Sequence, residues 1–320
     1  MLKKRLIMSL ICAIFTLLSP IYAIDFGEKD MQKTASAVVV PRTTIKSYTA
    51  PKQQVRVYFS KSKKVRVLSL EEYLLGVAVC EMDGTFPDDA IKAQIVAAHT
   101  MLEWRKKENV DKNYDITNDY KIDQGYFTKT ERKQKYGDEC KTLENRVKKL
   151  VSAVKDKLIY CDGEIICAVY HAISAGKTEN AVDIWGGEYK YLQSVDSASD
   201  IFEKNYLTNV SVSKQEFFDC LDLKKSKSIT IKNIKKTGSG SVKHMRINGK
   251  KFSGEKIRSA FLLRSMNFDI TVQKDTVTFA VRGYGHGVGM SQRGAASLAK
   301  KGKSYRQILL YYYKNCEIKP

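Results

Sequence analysis

The sequence predicts an α+β fold, with helices packed on short, mainly antiparallel strands and a basic, strand-rich lobe beside a groove. Apolar and polar residues alternate in the segments 55–59 and 65–67, a pattern typical of half-buried strands. Apolar residues three and four positions apart then predict helices up to about residue 155. Lysine-rich short strands separated by turns follow between about residues 207 and 280.

Three helices are predicted in the first half of the chain. Ser69–Glu72 forms a capping box that begins the first helix, and Gly84 and Pro87 end it. A second helix is predicted from residue 90 to about residue 107, with one apolar stripe facing the core. A third, highly charged helix is predicted from about residue 128 to residue 155.

Hairpin turns are predicted at Asp162-Gly163 and Asn248-Gly249. Cys161 and Cys167 flank the first turn and are expected on opposite faces of the hairpin, which disfavours a disulfide or a shared metal ion. The seven cysteines are otherwise scattered, so we interpret those outside the N-terminal apolar segment as small buried hydrophobes.

The charge of the chain indicates an anionic partner. It carries 55 Lys and Arg against 35 Asp and Glu over 320 residues, a net charge of +20. Nucleic acid, anionic lipid headgroups and acidic cell-wall polymers all satisfy this charge.

The N-terminus narrows that choice. Lys3-Lys4-Arg5 precedes an apolar stretch from Leu6 to Ile24, so residues 1–24 are predicted to be a signal anchor or a cleaved signal peptide. Residues 25–52 are polar and are interpreted as a stalk. We therefore expect an exported protein, anchored in the membrane or secreted, and no nucleic-acid partner.

Glycine occupies every second position from Gly283 to Gly289, with His286 in the middle. Because glycine weakens a strand, the run predicts a tight loop whose backbone approaches another group closely. Ser291 is predicted to cap a following helix from Gln292 to about Lys301. The run lacks the Gly-Lys-Ser/Thr ending of a phosphate-binding loop.

Glu81 lies on the buried stripe of the first predicted helix, near its end. We expect its carboxyl to be partly desolvated, which raises its pKa toward neutrality and suits a general acid. His171 opens a second candidate segment, 170–180, in which small and polar residues are typical of a loop lining a polar pocket. A structural glutamate and a structural histidine are the alternative interpretations.

Other chemistries have weaker support. Ser174, His286 and Asp183 could form a serine triad, but no Gly-x-Ser-x-Gly elbow accompanies them. Cys80 has no local pattern of a catalytic cysteine. The four histidines are far apart in sequence, which disfavours a metal site.

Three motifs in order resemble the stage II sporulation protein D (SpoIID/LytB) family. The first spans residues 70–94, with Glu81-Met82 and Phe86-Pro87 at its centre. The second runs from Tyr170-His171 to Gly187, and the third combines 257–265 with 283–295. The resemblance as a whole covers roughly residues 55–315, nearly all of the exported part.

The resemblance implies a lytic transglycosylase that cuts peptidoglycan glycan strands stripped of stem peptides during forespore engulfment. Glu81 matches the family's catalytic glutamate, acting first as acid and then as base, without a cofactor. The other residues expected to bind the glycan are Lys92, Gln94, His99, His171, Ser174, Gly176, Thr178, Glu179, Tyr284, His286 and Gln292.

The chain departs from the family pattern at three places. His99 replaces an arginine found in many members, so its support of Glu81 or the glycan is expected to be weaker or pH-dependent. Ser174-Ala175-Gly176 replaces a segment that usually holds two glycines. Some clostridial members carry a zinc site near the segment 122–126, which here has no Cys or His, so we predict no zinc.

The change to lysine-rich short strands between about residues 207 and 280 predicts the organisation of the chain. A catalytic lobe is expected from residues 53–200, completed by residues 281–320, with the basic lobe from 201 to 280 between them. A peptidoglycan amidase or endopeptidase and a membrane protein of the engulfment complex are the expected partners, in the space between mother cell and forespore. The competing hypotheses are a non-catalytic glycan-binding activator of an amidase and a basic membrane-surface protein.

Overall fold

The computed structural model describes residues 54–187 and 189–320, and it confirms the α+β class. The predicted membrane segment, 1–24, and the stalk, 25–52, lie outside the described residues. In the part that the structure describes, no helix combines the length and apolarity needed to cross a membrane.

The helices alternate with short strands along the chain. The helices are α1 Leu70–Glu81, α2 Asp88–Glu108, α3 Lys129–Tyr136, α4 Cys140–Val154, α5 Ala181–Ile184, α6 Lys214–Cys220, α7 Gly254–Ala260, α8 Gln292–Lys300 and α9 Tyr305–Tyr312, with 3-10 turns at Gly137–Glu139 and Ala198–Phe202. The strands are β1 Gln54–Phe59, β2 Lys64–Ser69, β3 Ile116–Thr117, β4 Leu158–Cys161, β5 Glu164–Ile165, β6 Tyr170–His171, β7 Leu207–Ser213, β8 Ile231–Lys236, β9 Val242–Ile247, β10 Lys250–Ser253, β11 Phe268–Val272, β12 Thr276–Arg282, β13 Met290–Ser291 and β14 Cys316–Lys319.

The strands form several small sheets with the orders β2-β1-β3, β10-β9-β8, β11-β12-β7, β13-β6 and β14-β4-β5. Most pairs are antiparallel, as predicted; β1 with β3 and β6 with β13 are parallel. The β6–β13 pair joins the predicted histidine segment to the glycine-rich run and so brings two predicted site segments together.

The main hydrophobic core surrounds α1 and α2. Ser69 caps α1 through the Glu72 N–H, as the sequence predicted, and every residue of α1 from Tyr73 onward is buried. The long third helix was predicted wrongly: α3 ends at Tyr136, and α4 begins at Cys140. Gly137 has a φ of +53°, a left-handed conformation that ends the helix.

A second hydrophobic core lies within the basic lobe, where Phe217, Phe261 and Phe279 stack closely. The two cores belong to different parts of the chain, and polar contacts connect them. Thr237 Oγ1 donates to Glu179 Oε1 at 3.0 Å, and Lys243 pairs with Asp183 at 3.0 Å. The turn between β8 and β9 therefore seats the basic lobe against the predicted middle motif.

The first predicted hairpin is confirmed, with φ of +50° at Asp162 and +81° at Gly163 between β4 and β5. Of the six cysteines in the described residues, Cys80, Cys140, Cys161 and Cys167 are buried, as expected, while Cys316 is half-buried and Cys220 is exposed. Cys161 and Cys316 face each other on β4 and β14, a proximity that their separation in sequence concealed.

Candidate functional site

The two-stranded sheet β6–β13 organises the predicted site. Tyr170 pairs with Met290 and His171 with Ser291 in a parallel register. Successive side chains of a strand point to opposite faces, so Tyr170 and His171 point to opposite sides of this sheet. Tyr170 reaches the neighbourhood of Glu81, whereas His171 contacts the ring of His286.

The glycine-rich run is a tight loop, as predicted. Gly283, Gly285, Gly287 and Gly289 all have positive φ, between +74° and +111°. At Gly289 an added Cβ would lie 2.1 Å from the Val169 carbonyl oxygen, so only glycine allows this approach. The loop ends in α8, whose first turn Ser291 caps by accepting from the Gly294 N–H at 3.1 Å.

Glu81, the last residue of α1, is completely buried, with 0% of its surface exposed. The partial exposure expected from the sequence is therefore not observed. Its Oε1 accepts from the Gly125 N–H at 3.0 Å, and its Oε2 accepts from Gln292 Nε2 at 3.1 Å. Gly125 must be small here, because a Cβ would lie 2.8 Å from Cys80 Sγ.

Burial raises the pKa of Glu81 to about 8. The hydrogen bonds from Gln292, Gly125 and Tyr170 oppose this rise, and the charge of Lys135 opposes it least. Among the described residues no cation forms an ion pair with this carboxyl, so desolvation prevails. At neutral pH the folded protein therefore holds Glu81 mainly in its protonated form.

Amide side chains surround the carboxyl. Gln292 Nε2 also lies 3.4 Å from Gln94 Oε1, which joins two of the predicted site residues to Glu81. Gln124 was not predicted: its Nε2 donates to the Tyr73 hydroxyl at 2.9 Å, and its Oε1 accepts from Tyr170 at 2.8 Å. These groups can bind either a neutral acid or its anion.

The two predicted histidines are buried and lie together, with ring centroids 5.8 Å apart. His171 Nδ1 donates to the Val288 carbonyl at 3.0 Å, while His286 Nδ1 accepts from the Val288 N–H at 3.1 Å. Burial lowers the pKa of His171 to about 4 and holds the pKa of His286 well below its usual range. Both rings are therefore neutral, and Trp185 packs against His286 at 5.1 Å.

Glu179 lies on the same side as the histidines. Its backbone N–H donates to the Gly287 carbonyl at 2.7 Å, and burial raises the pKa of its carboxyl. A small open pocket beside it runs between the main core and the basic lobe. The pocket lining includes Ser174, Lys177, Glu179, Asn267, Arg282 and His286.

Asp200 is a further buried carboxylate that sequence reasoning missed. Its Oδ2 accepts from the Ser174 N–H at 2.7 Å and from the Ser291 hydroxyl at 2.6 Å. It thus fixes the loop after His171 to the start of α8, next to Gln292. Asp200 stands in no motif, and its role depends on partners 26 and 91 residues away in sequence.

The remaining predicted residues are more dispersed. Thr178 is buried and accepts from the Val195 N–H at 2.9 Å, and Gly176 has a φ of +101° in the same segment. The Tyr284 ring lies 4.1 Å from the Arg264 guanidinium. Two residues point to carboxylates of their own helix: Lys92 Nζ is 3.8 Å from Asp89 and His99 Nε2 is 3.6 Å from Glu103.

Comparison with known proteins agrees with this architecture. A family model described as a stage II sporulation protein matches residues 58–160, which include β2, α1 and α2. Stage II sporulation protein D of Bacillus subtilis (strain 168) is 31% identical over 97% of this chain and 94% of its own length. That of Bacillus amyloliquefaciens is 32% identical over 82% of this chain and 78% of its own.

The chain therefore belongs to the stage II sporulation protein D family, as the three motifs predicted. A more distant relative is named an amidase enhancer, from Bacillus subtilis (strain 168). It is 26% identical over 75% of this chain, which corresponds to 39% of that protein.

Proposed function

We propose that this protein is a lytic transglycosylase that cleaves the bond between N-acetylmuramic acid and N-acetylglucosamine in denuded glycan strands. The observation that carries the proposal is the state of Glu81. With its pKa raised to about 8, it is an acid that is still protonated near neutral pH. A group of this kind can protonate a glycosidic oxygen.

The reaction needs only one such group. Glu81 gives its proton to the leaving oxygen as the bond to C1 of muramic acid breaks. The resulting carboxylate then takes the proton of the muramic C6 hydroxyl as that oxygen attacks C1, which yields a 1,6-anhydro end. Because no water attacks, the second carboxylate that hydrolases use is unnecessary.

The amides around Glu81 suit both stages. An amide side chain presents either its NH₂ or its oxygen, so Gln292 can donate to the carboxylate and, after rotation, accept from the protonated acid. Gln94, at 3.4 Å from Gln292, can invert with it. The carboxyl can therefore change protonation state without losing its hydrogen-bond partner.

The burial of Glu81 adds a requirement to this proposal. The Gly125 backbone and the Gln292 side chain occupy the positions that a sugar oxygen would need. Substrate must therefore displace the segment around Gly125 or the Gln292 side chain before the proton can be transferred.

The proposal is tested by incubating the full-length chain with denuded glycan strands and detecting 1,6-anhydromuramic products by mass spectrometry. Glu81→Gln should abolish these products while strand binding stays within about twofold, because the amide keeps the size of the acid but cannot transfer its proton. Glu108→Gln, which changes an exposed glutamate at the end of α2, is the matched control and should cleave normally. Unimpaired cleavage by Glu81→Gln would contradict the assigned role.

A second candidate function is a non-catalytic activator that binds glycan and stimulates a partner amidase. The complete burial of Glu81 favours it, and so does the relative named an amidase enhancer. This function predicts no anhydro product from the unmodified protein but faster release of stem peptides by an added amidase. Detection of anhydro products and measurement of stem-peptide release by an added amidase therefore separate the two functions.

We further propose that residues 1–24 anchor the chain in the membrane and that the rest acts in the space between mother cell and forespore during engulfment. An amidase or endopeptidase and a membrane protein of the engulfment complex are the proposed partners. The expectation of an anionic wall polymer, drawn from the net charge of +20, supports this location.

A further inference from the structure

The outer face of the β8–β9–β10 sheet carries a cluster of positively charged side chains that no carboxylate among the described residues neutralises. The basic lobe holds sixteen Lys and Arg against seven Asp and Glu. In the sheet, Arg246 lies directly opposite Lys232 on one side and Lys251 on the other. We name Lys232, Lys235, Arg246 and Lys251, all exposed, the cationic face.

Like charges directly opposite on neighbouring strands destabilise a sheet. Elsewhere in this lobe lysines are paired, as Lys236 is with Asp269 and Lys243 with Asp183. Within the residues that the structure describes, the four members of the cationic face form no ion pair with a carboxylate. Partial desolvation, followed by the charges of Lys251 and Lys235, lowers the pKa of the intervening His244.

The cationic face begins beside the open pocket. The turn that joins β8 to β9 contacts Glu179 through Thr237, and the adjoining Ser241 lines the pocket. Moving away from this turn, the rows Lys235–His244 and Lys232–Arg246–Lys251 follow in order. A linear polymer that leaves the pocket along β9 therefore meets successive rows of positive charge.

The chemistry of a denuded glycan strand matches this row of charges. Removal of a stem peptide leaves a free carboxylate on the lactyl group of each muramic acid, directly on the glycan strand. A denuded strand is therefore a linear polyanion with charges at a regular repeat. The described part of the β8–β9–β10 sheet exposes one large apolar side chain, Ile234, whereas membrane-binding surfaces usually present several such anchors.

We propose that the cationic face binds the lactyl carboxylates of denuded glycan strands. This inference rests on the proposed glycan substrate, but it does not depend on whether Glu81 cleaves the strand.

The test measures binding of the full-length chain, in neutral detergent and in the Glu81→Gln background, to fluorescently labelled denuded strands. One variant combines Lys232→Gln, Arg246→Gln and Lys251→Gln. The matched control combines Lys141→Gln, Lys148→Gln and Lys149→Gln, three exposed lysines of α4. Strands whose carboxylates have been converted to methylamides, and vesicles of phosphatidylglycerol, complete the set of ligands.

We expect the triple variant of the cationic face to bind denuded strands roughly five- to thirtyfold more weakly, the loss expected for three exposed charge pairs. Its binding should also depend less on salt, whereas the control should match the parent. Methylamide strands should not distinguish the three proteins. The triple variant should melt no lower than the parent, because it removes like-charge rows.

Three results would overturn the inference. The first two are equal binding of denuded strands by the triple variant and its parent, and equal binding of charged and methylamide strands by the parent. The third is a loss of binding that is seen only with the vesicles, which would assign the face to a lipid surface. Failure of the enzymatic proposal has a different signature. In that case the unmodified protein releases no anhydro product, yet its binding still depends on the cationic face.

Discussion

The two buried glutamates of the site, Glu81 and Glu179, form a natural pair for comparison. Both carboxyls have a raised pKa, with burial as the largest cause. Glu81 lies inside the main core among amides, and its partners Gly125 and Gln292 cover both oxygens. Glu179 stands at the wall of the open pocket, where the Thr237 hydroxyl of the basic lobe donates to it.

The comparison separates two requirements of a catalytic acid, an altered pKa and access to substrate. Burial raises the pKa of Glu81 to about 8, but the residue has no opening to solvent. Glu179 borders the pocket, and its carboxyl accepts the Thr237 hydrogen bond that links the two cores. We infer that Glu81 performs the chemistry and that Glu179 shapes the pocket and its contact with the basic lobe.

The largest expected effect is on cleavage. Glu81→Gln should lower the rate of anhydro-product release by about 10²–10⁴-fold, the usual contribution of a general acid. Glu179→Gln should lower it by no more than about tenfold, because an amide still accepts the Thr237 hydrogen bond. Product release is measured by mass spectrometry at a fixed strand concentration. The reverse order of the two variants would transfer the acid to Glu179.

The next effect is on stability, and its sign follows from the pKa of Glu81. Between the ordinary value of 4.5 and about 8, the unfolded chain releases a proton that the folded chain retains. Burial of the neutral acid therefore costs little below pH 4.5, and stability is lost as the pH rises toward 8. Glu81→Gln should gain stability relative to the parent by up to about 1.4 kcal/mol per pH unit across this window.

Thermal unfolding between pH 4 and pH 9 measures this gain, and Glu103→Gln provides a control of opposite sign. Burial alone would raise the pKa of Glu103, but its hydrogen bond with His99 and the charge of Lys106 lower it. Glu103→Gln should therefore destabilise the protein near neutral pH, and the difference should vanish as the pH falls through the lowered pKa. A pH-independent difference for Glu81→Gln would show that the folded and unfolded states share one pKa.

The sequence predicted the structural features that depend only on neighbouring residues. The Ser69 cap of α1, the Asp162-Gly163 turn and the Ser291 cap of α8 each need only a few adjacent side chains, and each is present. The exception, the continuous helix from residue 128 to 155, failed at Gly137. One residue with left-handed φ outweighed the helical propensity on both sides.

The parts that depend on distant contacts were missed or misjudged. Glu81 was singled out, but its full burial requires Gly125 and Gln292, which are 44 and 211 residues away. We expected the histidines and Glu81 in one groove, but Tyr170 faces Glu81 while His171, the next residue of β6, faces His286 on the opposite side of the β6–β13 sheet. Long-range register of two-residue strands leaves almost no pattern in the sequence.

Two glycines sharpen the comparison, because each one abuts one of the glutamates. At Gly125 a new Cβ would lie 3.1 Å from Glu81 Oε1, and at Gly287 it would lie 2.9 Å from Glu179 Cγ. We expect Gly125→Ala to cost about 1–3 kcal/mol through overpacking and to lower cleavage strongly. Gly287→Ala should cost more, about 2–5 kcal/mol, because the strain of its φ of +81° adds to the overpacking, but it should change the rate by only a few fold.

Gly163→Ala is the control for these variants. Gly163 has the same φ as Gly287, +81°, but a Cβ there would meet nothing within 4 Å. Its cost therefore reports backbone strain alone, about 1–2 kcal/mol. Equal losses of stability at Gly163 and Gly287 would mean that packing against Glu179 contributes nothing. Cleavage by Gly125→Ala at the rate of the parent would refute the tight fit around Glu81.

The smallest expected effect concerns the contact between the basic lobe and Glu179. Thr237→Val removes the hydroxyl that donates to Glu179 Oε1 at 3.0 Å and accepts from the Ser241 N–H at 3.0 Å. The loss should cost about 1–2 kcal/mol in thermal unfolding and should raise the pKa of Glu179 further, because a donor to its anion is gone. Glu81 should be unaffected, so cleavage by Thr237→Val should keep the pH dependence of the parent. A shifted pH profile would mean that the two glutamates titrate as one coupled site, which would end the division of roles between them.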